Sequence, residues 1–96
     1  MNRARALELL TRSKSVLAAH FGVTQLALFG STARDAARAE SDIDVLVAFD
    51  SLATSERYFG VQFYLEYLFG CPVDLVTEKA LRPELRPFIE KEAVHA

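Results

Sequence analysis

The sequence predicts an α/β fold, one small sheet with helices packed on it, in a single domain over residues 1–96. Three observations predict it. Two long segments of helical periodicity each end at a glycine, Gly22 and Gly70, where a helix C-cap belongs. Between and after them lie short apolar runs, rich in Val, Ile and Leu, of strand length. Finally, a chain of 96 residues that is 51% hydrophobic and 25% charged can bury one core but has no room for a second domain.

The first element expected is a helix over residues 3–21, with Ala6, Leu10, Leu17 and Phe21 on one stripe. A strand follows over Gln25–Phe29 and stops at Gly30 and Ser31. The Ala- and Arg-rich stretch from Thr32 to Arg38 has good helix propensity. A polar turn at residues 39–41 leads into Asp42–Phe49, a β-branched, mostly apolar run suited to an interior strand. Thr54 or Ser55 can cap a second long helix reaching Phe69. Pro72 opens a third strand, Val73–Val76, and a turn near 82–86 precedes a last helix from Pro87 to Ala93. The order α-β-α-β-α-β-α leaves the relative strand directions open.

Charge and composition narrow the function. The net charge is −2 with a pI near 5.6, which argues against a broad phosphate-backbone grip on nucleic acid. A lone cysteine, Cys71, excludes an internal disulfide and reads as a small apolar residue beside a strand. No apolar run approaches the ~18 residues a membrane span needs, and the N-terminus does not read as a signal peptide. The expected compartment is the cytoplasm. His20 and His95, at a helix end and near the terminus, read as solvent-facing.

Three pieces carry chemistry. Gly30 and Ser31 stand where an apolar strand meets a helix, so the backbone can approach a ligand and unpaired N–H groups can meet a phosphate. Asp42 and Asp44 alternate on a strand, so their carboxylates stand on one face with Cα atoms ~7 Å apart. Such a pair in an apolar strand repels itself unless a cation such as Mg²⁺ intervenes. Asp74, flanked by apolar residues, can join them from a neighbouring strand. Three carboxylates around two ions about 3.5–4 Å apart would form a two-metal site for in-line phosphoryl chemistry. Each piece alone has a bland reading as a turn, a solvated strand start or an edge residue. Gly-Ser and Asp-x-Asp at this one spacing arise by chance on the order of once in a thousand chains of this length. The bland reading loses.

Gly30 and Ser31, ten residues, then Asp42-Ile43-Asp44 resembles the signature of the DNA polymerase β-like nucleotidyltransferase superfamily. Leu28–Arg34, Ser41–Val47 and the tail of Leu81–Arg86 with Glu92–Val94 look like the minimal nucleotidyltransferases of bacteria and archaea, over nearly the whole chain. The resemblance implies a palm-like mixed sheet of three to four strands. It implies that Gly30 and Ser31 hold a triphosphate, that Asp42, Asp44 and Asp74 bind two Mg²⁺ or Mn²⁺ ions, and that Asp74 accepts the acceptor's proton. Arg34 lies within reach of a triphosphate, and relatives carry it, although an ion pair with Glu40, Asp42 or Asp44 is an equal reading. Asp35 stands where relatives carry glycine, an extra negative charge near the nucleotide.

With 96 residues, no separate acceptor-binding domain is expected, and a partner is the simplest supplier of the acceptor. On the second long helix, Tyr58, Val61, Leu65, Leu68 and Phe69 form the expected core face. Beyond a polar strip of Ser55, Gln62 and Glu66, a second apolar sector of Phe59, Phe63 and Tyr67 either packs under the first helix or docks a partner. The resemblance implies the partner: a HEPN-class toxin, to which antitoxins of this family transfer AMP from ATP, onto tyrosine. The alternative is an antitoxin that neutralises by complex formation alone.

Overall fold

A computed structural model describes residues 2–33 and 42–96, with the side chains of Ser31 and Thr32 outside the described set. The first helix, α1, runs Arg3–Phe21, starting from an Asn2 cap whose side chain accepts from the Arg5 N–H and ending at Gly22 with φ +71°. Strand β1, Val23–Phe29, leads into a short helical turn, α2, Gly30–Ala33. The rest of the helix expected over 32–38, and the turn at 39–41, lie outside the described residues. Strand β2 is Ile43–Phe49. Helix α3, Ser55–Phe69, is capped by Thr54, which accepts from the Arg57 N–H, and stops at Gly70 with φ +72°.

Strand β3, Val73–Thr77, is followed by a 3₁₀ turn, Glu78–Ala80. Helix α4, Arg86–Glu92, begins one residue before the expected Pro87, because proline is tolerated in a helix's first turn. A two-residue strand, β4, Val94–His95, closes the chain. It was not legible as an element, since two residues carry no periodicity. Its pairing with Ala27 and Leu28 creates it.

The sheet order is β3-β2-β1-β4. β1 pairs antiparallel with β2 and β4, while β2 and β3 are parallel, α3 supplying the crossover that parallel neighbours require. The sheet is therefore mixed. A bulge between Val23 and Gln25 extends β1 two residues earlier than expected.

Alternation assigns the strand residues to two faces. Leu26 and Leu28, Ile43, Val45 and Val47, and Val73 and Leu75 meet Ala6, Leu9, Leu10 and Leu17 of α1 and Val61, Leu65 and Phe69 of α3. Buried side chains of this kind stabilise by roughly 1.5–3 kcal/mol each. The opposite face buries a smaller cluster, Ala27, Leu46 and Leu81, with Phe29, Val76, Ile89 and Ala93 against it. At Gly60 the helices α1 and α3 close so tightly that an added Cβ would collide with the Phe21 ring. Among the described residues, no helix is long and apolar enough to cross a membrane.

Candidate active site

Asp44 is the second residue of β2 and points away from the α1/α3 core that holds its neighbours Ile43 and Val45. In the sheet it stands between Phe29 on β1 and Asp74 on β3. Directly after Phe29, Gly30 adopts φ +69°, and a Cβ there would collide with Asp44 Oδ2. Both the left-handed backbone and the lack of space demand glycine. The chain can turn across the carboxylate only because nothing projects from it.

This site is electrostatically loaded. Burial, first, then the charge of Asp74, a side-chain hydrogen bond with Asp74, and the charges of Asp42 and Glu92 push the Asp44 carboxyl up from 3.8 to about 6. Like charges sharing a partly desolvated site hold on to a proton. Burial and the Asp74 charge also raise the Tyr58 phenol above its ordinary range. Asp44 and Asp74 are thus in contact, and Asp42, exposed just ahead of β2, flanks them. Among the described residues, no three His, Cys, Asp or Glu side chains already converge as a metal-ligand set.

The donor set nonetheless fits a divalent cation. Carboxylate oxygens in a site whose main strain is mutual repulsion are what Mg²⁺ or Mn²⁺ neutralises, and neither ion needs a complete protein cage. Asp44 and Asp74 would be the primary ligands, and Asp42, two residues ahead of Asp44, adds its charge to the site.

Of the other sequence candidates, Ser31 follows Gly30 in the α2 turn, and its side chain is outside the described set. Arg34, with Asp35 beside it, lies outside the described residues. Phe59, Phe63 and Tyr67 are 49%, 64% and 88% exposed, so they do not pack under α1. Phe59 and Phe63 stack with centroids 6.1 Å apart. His20 and His95 are exposed as expected, and half-buried Cys71 packs against the core beside β3. Glu92 also acts on Asp44, and nothing in the local sequence marks it as a site residue. Its place near Asp44 depends on α4 and β4 returning across the sheet, which local sequence does not encode.

A mixed sheet that lifts a carboxylate pair beside a glycine turn is suited to handling phosphate esters and the cations that accompany them. The chain belongs to the nucleotidyltransferase domain family, whose model matches residues 10–95. Protein adenylyltransferase MntA of Thermococcus cleftensis is 34% identical over 87 residues, covering 91% of this chain and 88% of the relative. A solved structure assigned as a minimal nucleotidyltransferase is 38% identical, with a TM-score of 0.78 over 98% of this chain and 95% of that one. The fold also matches a chain in the structure of tri-AMPylated Shewanella oneidensis HEPN toxin in complex with MNT antitoxin. There the TM-score is 0.69 at 15% identity, over 97% of this chain and 70% of that one.

Proposed function

We propose that this nucleotidyltransferase is a protein adenylyltransferase that moves AMP from ATP to a tyrosine hydroxyl of a HEPN-class toxin and so acts as its antitoxin. The observation that carries the reading is the Asp44–Asp74 contact beneath Gly30. A relative 34% identical over nearly the whole chain is named for the same activity, and a fold neighbour is a complex of an AMPylated HEPN toxin.

In this reading Gly30 and Ser31 receive the triphosphate, and Arg34 adds a cation to it. Asp42, Asp44 and Asp74 would hold two divalent ions, which would supply charge neutralisation at the transferring phosphoryl group. The tyrosine oxygen bonds to the α-phosphorus, the bond to the bridging oxygen of the β-phosphate breaks, and pyrophosphate leaves. Asp74, exposed at the sheet's end, takes the hydroxyl proton. The acceptor is brought by the partner docking on the ridge of Phe59, Phe63 and Tyr67, an aromatic surface of the kind enriched among interface anchors.

Neutralisation of the toxin in cells tests the catalytic version. Asp42→Ala and Asp44→Ala should bind the toxin but fail to rescue growth. Phe63→Glu should fail by losing the complex while still responding to Mg²⁺-nucleotide in a thermal shift. Full rescue by both aspartate variants would mean that complex formation alone neutralises.

A further inference from the structure

Asp74 is exposed, so packing around its own side chain does little to fix it. Its position is inherited from β3. Among the described residues that strand is the edge of the sheet, paired with β2 on one side only. In a strand the backbone N–H and C=O groups alternate sides along with the side chains. Pro72 accepts from the Ile43 N–H, so residue 72, and by alternation Asp74, turns its backbone toward β2. Val73 and Leu75, on either side of Asp74, turn theirs outward. An edge strand's outer groups are ordinarily left to water or to a stray strand.

Here they are taken by one stripe of α3. Tyr58 donates its hydroxyl hydrogen to the Leu75 carbonyl. Gln62 Nε2 donates to the Val73 carbonyl at 3.3 Å, and Glu66 Oε2 accepts from the Val73 N–H at 3.0 Å. The three residues are spaced by four, which places them in a row on the helix surface. All three are partly buried. Beneath them Val61, Leu65 and Phe69 root the helix in the core. The row thus grips β3 immediately before and after the carboxylate that meets Asp44.

We propose that Tyr58, Gln62 and Glu66 are positioning residues for the phosphoryl-transfer site. They take the outer backbone groups that a further strand would pair, and hold Asp74 beside Asp44, where the two carboxylates could share a divalent ion. The Glu66 contact is charge-assisted and is the strongest of the three. Loosening it lets β3 shift in the sheet plane, and small misplacements of reacting groups cost up to about a hundredfold in rate. The inference rests on the proposed role of Asp74 as a metal ligand.

The test compares Glu66→Ala, Glu66→Gln, Gln62→Leu and Asp74→Ala in the full chain. Each is measured for Tm without ligand, for the Mg²⁺ concentration that half-saturates the thermal shift given by a nonhydrolysable ATP analogue, and for kcat and KM with the toxin as acceptor. Glu66→Ala and Gln62→Leu should raise the half-saturating Mg²⁺ several-fold and lower kcat by about ten- to a hundredfold with KM for the toxin unchanged. Glu66→Gln keeps an acceptor oxygen and should restore most of both. If the clamp variants match the wild type while Asp74→Ala loses the Mg²⁺ response, the clamp is overturned and the site stands. A Glu66→Gln variant as defective as Glu66→Ala also overturns it. Should Asp74→Ala respond to Mg²⁺ as the wild type does, the metal-site reading fails first and the clamp with it.

Discussion

The two faces of the sheet are built from interleaved residues of the same strands, yet they do different work. On β2, Ile43, Val45 and Val47 enter a core closed by α1 and α3, while Asp44 and Leu46 face the other way. The helical face is apolar and satisfied. Among the described residues the opposite face is covered by α4 and the turn before it, and at one end it gathers carboxylates that raise the proton affinity of Asp44. Stability is thus concentrated on one side and electrostatic strain on the other, one residue apart in sequence. That separation lets a short chain hold an unfavourable charge cluster in place.

Because of this division, the two faces can be broken independently. Leu65→Ala removes a fully buried side chain from the helical face and should cost about 2–5 kcal/mol in denaturant unfolding. The thermal shift given by Mg²⁺-nucleotide should persist in the molecules that remain folded. A loss of nucleotide response disproportionate to the loss of stability would mean that the faces are coupled.

The opposite face sharpens the comparison through pH. The folded-state value of Asp44, about 6, lies above its ordinary 3.8. The folded protein therefore binds more protons than the unfolded chain between these values, and metal-free stability should fall as pH rises through that window. After allowance for solvent screening the effect is about 1 kcal/mol, present in full below pH 4 and lost above pH 6. Asp44→Asn should flatten this slope in urea titrations. Saturating Mg²⁺ should reverse it in the wild type, because the ion binds the ionised form.

The same division decided what the sequence could reveal. The helices, their glycine stops and the core stripes follow from local periodicity, and Ala6, Leu10, Leu17, Val61 and Leu65 are buried where the pattern put them. The candidate site could be named from sequence because glycine and aspartate are chemically conspicuous at a strand end and in an apolar run. What sequence left open was nonlocal. Whether Phe59, Phe63 and Tyr67 lay inside or outside depended on how α1 crosses α3, and Gly60 against Phe21 sets that crossing. Gln62 and Glu66 read only as a polar strip, since their partners on β3 are defined only once that strand takes its place in the sheet. Glu92 and β4 likewise depend on the chain end returning to β1.

The most direct test of the central claim is intact mass. The purified chain, Mg²⁺, ATP and the cognate HEPN-class protein should yield that protein with one or more AMP units added on tyrosine, and Asp44→Ala should abolish the gain. A stable complex whose mass never changes with any nucleotide would contradict the account, leaving a chain that keeps the nucleotidyltransferase fold and neutralises by binding alone.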